Sequence, residues 1–212
     1  RGNWVVTHYE DINRVYTDNE HFSNKGTAEF QRLIGETFPS IPLAIDPPEH
    51  SKYRLFLTQF FGPATITRVM EPTIRAVLDE MIDEIAEKGE VDMAWDFARV
   101  FPVRIFMGMM GFPKEMFDDF LEWEWNILHS GELEKMQWAL SSVLKFLRGF
   151  IAEKEENPDE FLTSSIVHGK IQGRRFTEDE KIGMVWFLWL GGLDTVAATI
   201  AQMYRRMALQ PE

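Results

Sequence analysis

The chain has 212 residues, of which 45% are hydrophobic, and its 22 basic and 34 acidic side chains give a net charge of −12 at pH 7. This acidic balance disfavours nonspecific binding to nucleic acid or to anionic membranes, and the complete lack of cysteine excludes disulfides and cysteine-held metals within these residues. The apolar content suffices for one large core or for part of a larger one. Because the chain begins at Arg1 without a signal-like segment, we expect its natural N-terminus to lie upstream.

The N-terminal part of the chain combines one short helix with a long irregular segment. Residues 3–7 predict a short strand, and the capping-box sequence from Thr7 to Glu10 predicts a helix that ends near Asp18. From His21 to Ile45, glycine, proline and phenylalanine occur without periodicity, which predicts a loop with one helical turn. Loops of this length inside compact domains are usually functional or mobile.

The next informative stretch runs from Asp46 to Arg54. Asp46 is a favoured N-cap residue and two prolines follow it, so we expect a helix that begins at Pro47. On a helical wheel, His50 and Arg54 fall inside the apolar side. A buried arginine needs an anion, which can be either an acid of the core or a bound carboxylate or phosphate.

Helix follows helix after this stretch. Apolar residues at helical spacing predict helices over 63–70, 72–88, 94–110, 114–129 and 133–156, a short helix ending at 167 and a turn over 168–174. Residues 90–93 predict a short strand. Trp123, Trp125 and Trp138 are expected in the core or in a pocket wall. We expect paired carboxylates only on solvated faces, and the five histidines show no metal-ligand spacing.

The longest apolar helix is predicted from Glu178 to Leu209. Thr177 and Glu180 form a capping box at its start, and at ~1.5 Å per residue the helix is about 48 Å long. Apolar residues on all of its sides predict a buried helix. The helix is also long enough for a bilayer, but the acid Asp194 at its centre and the lack of a basic flank before it oppose a membrane span.

The segment from Gly191 to Thr195, in the middle of this helix, is not explained by packing alone. Two mid-helix glycines cost about 1–2 kcal/mol relative to alanine. The Thr195 hydroxyl can hydrogen-bond the carbonyl of Gly191, four residues earlier, and loosen the helix there. We therefore expect a groove beside Gly191 and Gly192.

Taken together, these motifs resemble the cytochrome P-450 family, and within it the bacterial soluble class typified by camphor monooxygenase. The residues that carry the resemblance are, in chain order, His21-Phe22-Ser23, Asp46 to His50 with Arg54, Phe101 to Phe106 with Gly111-Phe112-Pro113, Ile171 to Arg174, and Gly191 to Thr195. The resemblance implies a mainly α, cytochrome P-450-like fold with a few short strands and a long buried central helix. It also implies that residues 1–212 form a single partial domain.

The resemblance implies a function as well. The family uses haem, iron protoporphyrin IX, to hydroxylate substrates with dioxygen and electrons from a redox partner. By resemblance, His50 and Arg54 would bind a haem propionate, and Gly191 and Gly192 would let the helix backbone approach the haem. Thr195 would hold the oxygen substrate and Asp194 would relay protons to it, so both count as catalytic.

Substrate and partners follow from the same resemblance. The residues expected to contact substrate are Phe38, Leu43, Phe187 and Leu190. Because Phe38 and Leu43 offer no polar group, we expect a small hydrophobic substrate, such as a terpenoid or an aromatic hydrocarbon. The redox partner would be a 2Fe–2S ferredoxin that docks near Lys52 and Arg54. We expect a cytoplasmic monomer that neither spans a membrane nor binds nucleic acid.

The sequence departs from the family pattern at the iron. Family members hold iron through a cysteine in a glycine-rich loop near the C-terminus, and this sequence contains no cysteine. These residues therefore supply no thiolate ligand for iron, the sequence assigns no metal-ligating residue, and about half of a family member is absent. Two alternatives stay open: a truncated, non-catalytic helical protein that binds a hydrophobic ligand, and a helical interaction module.

Overall fold

The fold is described from a computed structural model, and the description covers residues 2–210. The helices are α1 Tyr9–Thr17, α2 Glu49–Phe61, α3 Pro63–Thr65, α4 Glu71–Lys88, α5 Val100–Met110, α6 Phe117–Leu128, α7 Leu133–Glu156, α8 Leu162–Val167 and α9 Glu178–Leu209. Shorter turns are 3-10 helical at Phe30–Ile34 and Lys114–Met116 and π-helical at Ile66–Met70 and Met93–Ala98. Strands β1 Lys170–Ile171 and β2 Arg174–Arg175 form an antiparallel hairpin within the predicted turn. The predicted mainly α fold is confirmed.

Two long helices match the sequence prediction residue for residue. α7 and α9 begin and end where the apolar periodicity predicts, and the capping box of α9 is formed. The Thr177 hydroxyl accepts from the Glu180 N–H at 3.3 Å, and the Glu180 carboxylate accepts from the Thr177 N–H at 2.7 Å. Gly89 and Gly111 end α4 and α5 with a φ of 75° each, as predicted for glycine after a helix.

Both predicted strands in the first half of the chain are wrong. Residues 3–7 have no regular structure and are exposed, because no strand in the described part of the chain lies beside them to complete the hydrogen bonds. At 90–93, Asp92 caps the following π-helical turn, accepting from the Ala94 and Trp95 N–H groups at 2.9 and 3.0 Å. The capping box predicted at Thr7 is also absent, since α1 starts after His8 without a side-chain cap.

The start of α2 differs from the prediction because Asp46 has a different partner. Its carboxylate accepts from the Ser23 hydroxyl at 2.6 Å and from the Asn24 N–H at 2.8 Å, and therefore closes the base of the long loop instead of capping the helix. α2 consequently begins at Glu49, after Pro48. The loop itself contains the single predicted helical turn, at Phe30–Ile34.

The core surrounds the first half of α9. Every residue from Glu180 to Trp186 is buried, and α9 packs against α5, α6, α7 and α8. The long loop lies directly on α9 at Gly183: the Ile41 N–H donates to the Gly183 carbonyl at 3.1 Å, and a Cβ on Gly183 would lie 2.4 Å from the Pro39 carbonyl oxygen. Only glycine permits so close an approach.

The second half of α9 corrects the prediction of a fully buried helix. From Asp194 to Gln210 no residue is fully buried, and Met203 and Met207 are 59% and 62% exposed. Within residues 2–210, too few elements cover this half to bury its apolar side chains. α9 is also long and apolar enough to cross a membrane, a weak criterion because core helices of soluble proteins also meet it.

Candidate functional site

The hydrogen bond predicted within α9 is present, and the helix continues without interruption through it. The Thr195 hydroxyl donates to the Gly191 carbonyl at 3.0 Å. A Cβ on Gly191 would have no neighbour within 4 Å, so one side of the helix is open there. The space expected beside both glycines is open at Gly191 only, because a Cβ on Gly192 would lie 2.4 Å from the Phe106 ring. Gly192 therefore lets α5 pack closely against α9.

Asp194 lies beside this turn and has a partner that the sequence did not reveal. Its carboxylate oxygen Oδ1 is 3.1 Å from Nε2 of His129, which follows the last residue of α6. The same Nε2 is 3.2 Å from Oε1 of Glu124. One histidine nitrogen thus stands between two carboxylates on different helices. The expectation that paired carboxylates occur only on solvated faces is wrong at this position.

Glu124 is the buried member of this cluster, with only 4% of its surface exposed. Burial raises the pKa of its carboxyl, while His129 acts in the opposite direction. Arg99 approaches the second carboxylate oxygen, Oε2, at 3.8 Å. The helical spacing of Glu124 to the buried residues Phe120 and Ile127 is the signal that could have placed it on the inner face of α6.

Aromatic side chains and a cavity surround the cluster. The His129 ring lies 4.9 Å from the Trp125 ring, and the Arg99 guanidinium lies over Trp95 and Trp125 at 5.1 and 5.4 Å. A cavity of about 250 Å³ adjoins Glu124, His129 and Asp194. Trp125 is 40% exposed and lines this cavity, in agreement with a pocket wall, whereas Trp123 is in the core and Trp138 is exposed.

His50 and Arg54 lie on α2, but not as the helical wheel predicts. The buried residues of α2 are Tyr53 and Leu57, Arg54 is exposed and His50 is half-buried. The prediction of a buried arginine is therefore wrong, because the inner face of α2 is rotated toward Tyr53. In residues 2–210 neither His50 nor Arg54 forms an ion pair, so the internal salt bridge considered from the sequence is absent.

Tyr53 instead joins α2 to the start of α9. Its hydroxyl donates to the Glu180 carboxylate, and both oxygens of that carboxylate accept from the Arg174 guanidinium at 2.7 Å. These bonds, Arg174 foremost, lower the pKa of Glu180 to about 2. Burial, together with the Glu180 charge, raises the pKa of Tyr53 to about 12. This cluster fixes the helix that carries His50 and Arg54.

These residues fit a haem in part. His50 and Arg54 offer an imidazole and a guanidinium as hydrogen-bond donors for carboxylate groups, and Gly191 offers a helix surface without a side chain. Gly191 lies eleven residues after Glu180, the residue that Tyr53 of α2 contacts, which is about 16 Å along the helix. No residue of this chain can supply a thiolate to iron, since cysteine is absent.

The predicted substrate residues are apolar and mostly enclosed. Phe38 and Leu190 are 1% and 8% exposed, and Leu43 and Phe187 are half-buried. Polar contacts fix the loop that carries Phe38: the Gln31 amide donates to the Phe38 carbonyl at 2.8 Å, and the Arg148 guanidinium lies 5.7 Å from the Phe38 ring. Phe38 therefore lies in a loop whose position is fixed by Gln31 and Arg148.

Comparison with known proteins finds relatives over the whole chain, although no protein-family model matches it. The chain is 35% identical to the probable cytochrome P-450 127A1 of Sinorhizobium fredii, over 100% of this chain and 51% of the relative. It is 28% identical to mycinamicin IV hydroxylase/epoxidase of Micromonospora griseorubida, over 99% of this chain and 53% of that protein.

A solved structure shows the same fold. The LnmA cytochrome P-450 hydroxylase from the leinamycin biosynthetic pathway of Streptomyces atroolivaceus matches with a TM-score of 0.82 at 24% identity, over 98% of this chain and 53% of that chain. At this identity the likeness concerns the fold alone. The chain spans about half the length of the relatives it matches.

Proposed function

We propose that the whole protein is a haem-dependent monooxygenase of the bacterial cytochrome P-450 type, because this chain matches about half the length of such proteins in sequence and fold. Bound haem supplies the iron centre at which dioxygen is reduced and one oxygen atom passes to the substrate. The residues of this chain bind the haem, enclose the substrate and deliver protons. The observation that carries the proposal is the open, hydroxyl-bearing turn of α9 from Gly191 to Thr195.

Thr195 and Asp194 are the proposed proton-handling residues. The Thr195 hydroxyl donates its proton to the Gly191 carbonyl and keeps lone pairs free to accept another hydrogen bond. Asp194 is the next residue back, and its side chain is 34% exposed, so it can exchange protons with solvent. Hydroxylation consumes one dioxygen, two electrons and two protons and yields the alcohol and one water. We assign both protons to this route.

His50 and Arg54 are the proposed propionate-binding residues. Neither has an ion-pair partner in the described residues, and both lie on a helix that Tyr53 ties to Glu180. Gly191 and Gly192 belong to the proposed haem-facing turn, Gly191 through its open side and Gly192 by setting how closely α5 approaches. Haem supplies anionic carboxylates and a flat apolar ring, which match these two groups of residues.

The substrate is proposed to be a small terpenoid or aromatic compound in contact with Phe38, Leu43, Phe187 and Leu190. All four side chains lack polar atoms, so the pocket selects by shape and apolar surface. A 2Fe–2S ferredoxin is the proposed electron donor, with Arg54 on the docking surface beside Lys52, which is itself paired to Glu49 at 3.0 Å. A monomeric, cytoplasmic enzyme fits these assignments.

A carbon monoxide spectrum tests the proposed function. When the purified full-length protein is reduced under carbon monoxide, we expect the red-shifted absorption band of a thiolate-ligated haem, because the proposed cofactor is held by a cysteine outside these residues. A protein that binds no haem, or whose band has the position given by a histidine ligand, would contradict the monooxygenase and favour a non-catalytic helical protein.

Thr195→Ala tests the proton route, with Thr199→Ala as the matched control. Thr199 lies one turn further along α9 and donates to the Thr195 carbonyl at 2.8 Å. Loss of the Thr195 hydroxyl should lower product formed per electron consumed by roughly tenfold, the missing share appearing as hydrogen peroxide, since a positioned proton donor contributes about 10²–10⁴-fold. Substrate binding should stay unchanged. If the Thr195 variant and the wild type formed equal amounts of product per electron consumed, Thr195 would have no part in the mechanism.

A further inference from the structure

We propose that Glu124, His129 and Asp194 form a binding site for a divalent transition-metal ion, with zinc as the best-fitting ion. The three side chains come from α6, from the residue that ends α6, and from α9. One ligand atom from each lies within 4.8 Å of the other two. The proposal concerns metal binding and holds whether or not the protein is a monooxygenase.

The distances within the cluster suit zinc. His129 Nε2 is 3.1 Å from Asp194 Oδ1 and 3.2 Å from Glu124 Oε1. Zinc bonds nitrogen and carboxylate oxygen at about 2.0–2.2 Å, and tetrahedral ligands are then about 3.4 Å apart. Both histidine distances are within about 0.3 Å of this spacing, and the two carboxylate oxygens lie within 4.8 Å of each other, so an ion can enter between the three atoms once the two carboxylates adjust to it. His129 would carry its remaining proton on Nδ1.

Without a metal, one histidine nitrogen serves both carboxylates. A single N–H on His129 Nε2 faces two carboxylate oxygens at nearly equal distances, and one N–H gives a well-directed hydrogen bond to only one of them. Glu124 is almost wholly buried, with Arg99 and His129 as its partners, and a buried carboxylate is favoured by a cation beside it. A metal ion at the common point would satisfy both carboxylates and the imidazole at once.

The surroundings supply what a metal site needs beyond its ligands. Arg99 contacts the other oxygen of Glu124, Oε2, at 3.8 Å, which leaves Oε1 directed at the cluster, as outer partners of metal-bound carboxylates do. The adjoining cavity of about 250 Å³ gives an entry path and room for a water as fourth ligand. The net charge of −12 favours the approach of cations.

The donor set also selects among metals. Calcium and magnesium prefer oxygen ligands alone, whereas imidazole with carboxylates suits zinc and its neighbours. The bound ion would join the end of α6 to the middle of α9 and would occupy Asp194. If Asp194 relays protons as proposed above, zinc would then inhibit the reaction, so the site offers a means of metal control.

Calorimetric titration of the full-length protein with zinc, after treatment with a chelator, tests this site. We expect one equivalent of zinc per chain and a higher melting temperature with zinc than without it. His129→Ala should weaken the affinity on the order of 100-fold, because a three-ligand site loses one ligand. His21→Ala is the matched control, since His21 pairs with the single carboxylate of Asp18 at 2.8 Å on the surface, and it should leave the affinity unchanged.

His129→Cys separates a metal ligand from a mere hydrogen-bond partner. Cysteine ligates zinc well but is only a weak hydrogen-bond donor to a carboxylate, so this variant should retain zinc within about tenfold of the wild-type affinity. It also guards against misreading His129→Ala if that variant folds poorly. Absence of zinc binding by the wild type, or equal binding by the wild type and His129→Ala, would overturn the proposal.

Discussion

Glu180→Gln should lower the free energy of unfolding by about 2–4 kcal/mol, as expected when one partner of a partly buried ion pair is lost. The change removes the charge that Arg174 contacts with two bonds of 2.7 Å and weakens the acceptor of the Tyr53 hydroxyl. The estimate lies toward the lower end of the range because the Arg174 side chain is 54% exposed. Chemical denaturation of the full-length protein measures the change.

A neighbouring acid provides the control for this prediction. Glu178 lies on the same first turn of α9, is paired with Lys181 at 2.8 Å, and has a side chain that is 70% exposed. Glu178→Gln should therefore change stability by less than about 0.5 kcal/mol. Equal losses in the two variants would mean that helix-end charge, and not the contact with Tyr53 and Arg174, accounts for the effect.

The same cluster predicts a dependence of stability on pH. The pKa of Glu180 falls from an ordinary 4.5 to about 2 on folding, so its stabilisation is fully present above pH 4.5 and is lost as pH falls from there toward 2. Over this window the free energy of unfolding of the wild type should fall faster than that of Glu180→Gln. Plots of this free energy against pH should therefore converge for the two proteins. Parallel plots of free energy against pH over that window would show that Glu180 is not the group whose protonation causes the loss of stability.

Gly192→Ala and Gly191→Ala should have opposite effects on stability although the two residues are adjacent. A Cβ on Gly192 would meet the Phe106 ring at 2.4 Å, and such overpacking costs about 1–3 kcal/mol. A Cβ on Gly191 would meet nothing within 4 Å, so alanine there should gain about 0.5–1 kcal/mol through its better helix propensity. Thermal and chemical unfolding of both variants measure the difference.

The more stable Gly191→Ala variant also tests the role proposed for the open turn. If haem lies against Gly191, the added methyl group should lower haem content or oxygen use while raising the stability of the haem-free protein. Full haem content and full activity in this variant would place the haem elsewhere. A destabilised Gly191→Ala would contradict the geometry of α9 itself.

Helix positions were predictable where local sequence decides them. α7 and α9 follow from uninterrupted apolar spacing and from caps that satisfy the first N–H groups. The start of α2 was not predictable from the same rules, because Asp46 bonds Ser23 and Asn24, which are more than twenty residues away. Local cap preferences cannot reveal a competing tertiary partner.

In the candidate site, too, contacts between residues close in sequence were predictable and contacts between distant residues were not. The bond from Thr195 to Gly191 lies within one helix turn and was predicted correctly. The pair of Asp194 and His129 spans 65 residues, and nothing in the spacing of the five histidines indicated it. The outward position of Arg54 was missed because a wheel gives the faces of a helix but not which face turns inward. The roles assigned to His50, Arg54, Asp194 and Thr195 stay predictions.

The contact between the long loop and Gly183 has a consequence for protein engineering. Since the Pro39 carbonyl fills the space of a side chain on α9, the loop and the central helix form one module and cannot be exchanged separately. Chimeras that graft a relative's loop should keep their fold only where the matching helix position is also glycine. Libraries aimed at new substrates should vary exposed loop positions such as Leu33, which is 44% exposed, and hold Pro39 to Ile41 constant.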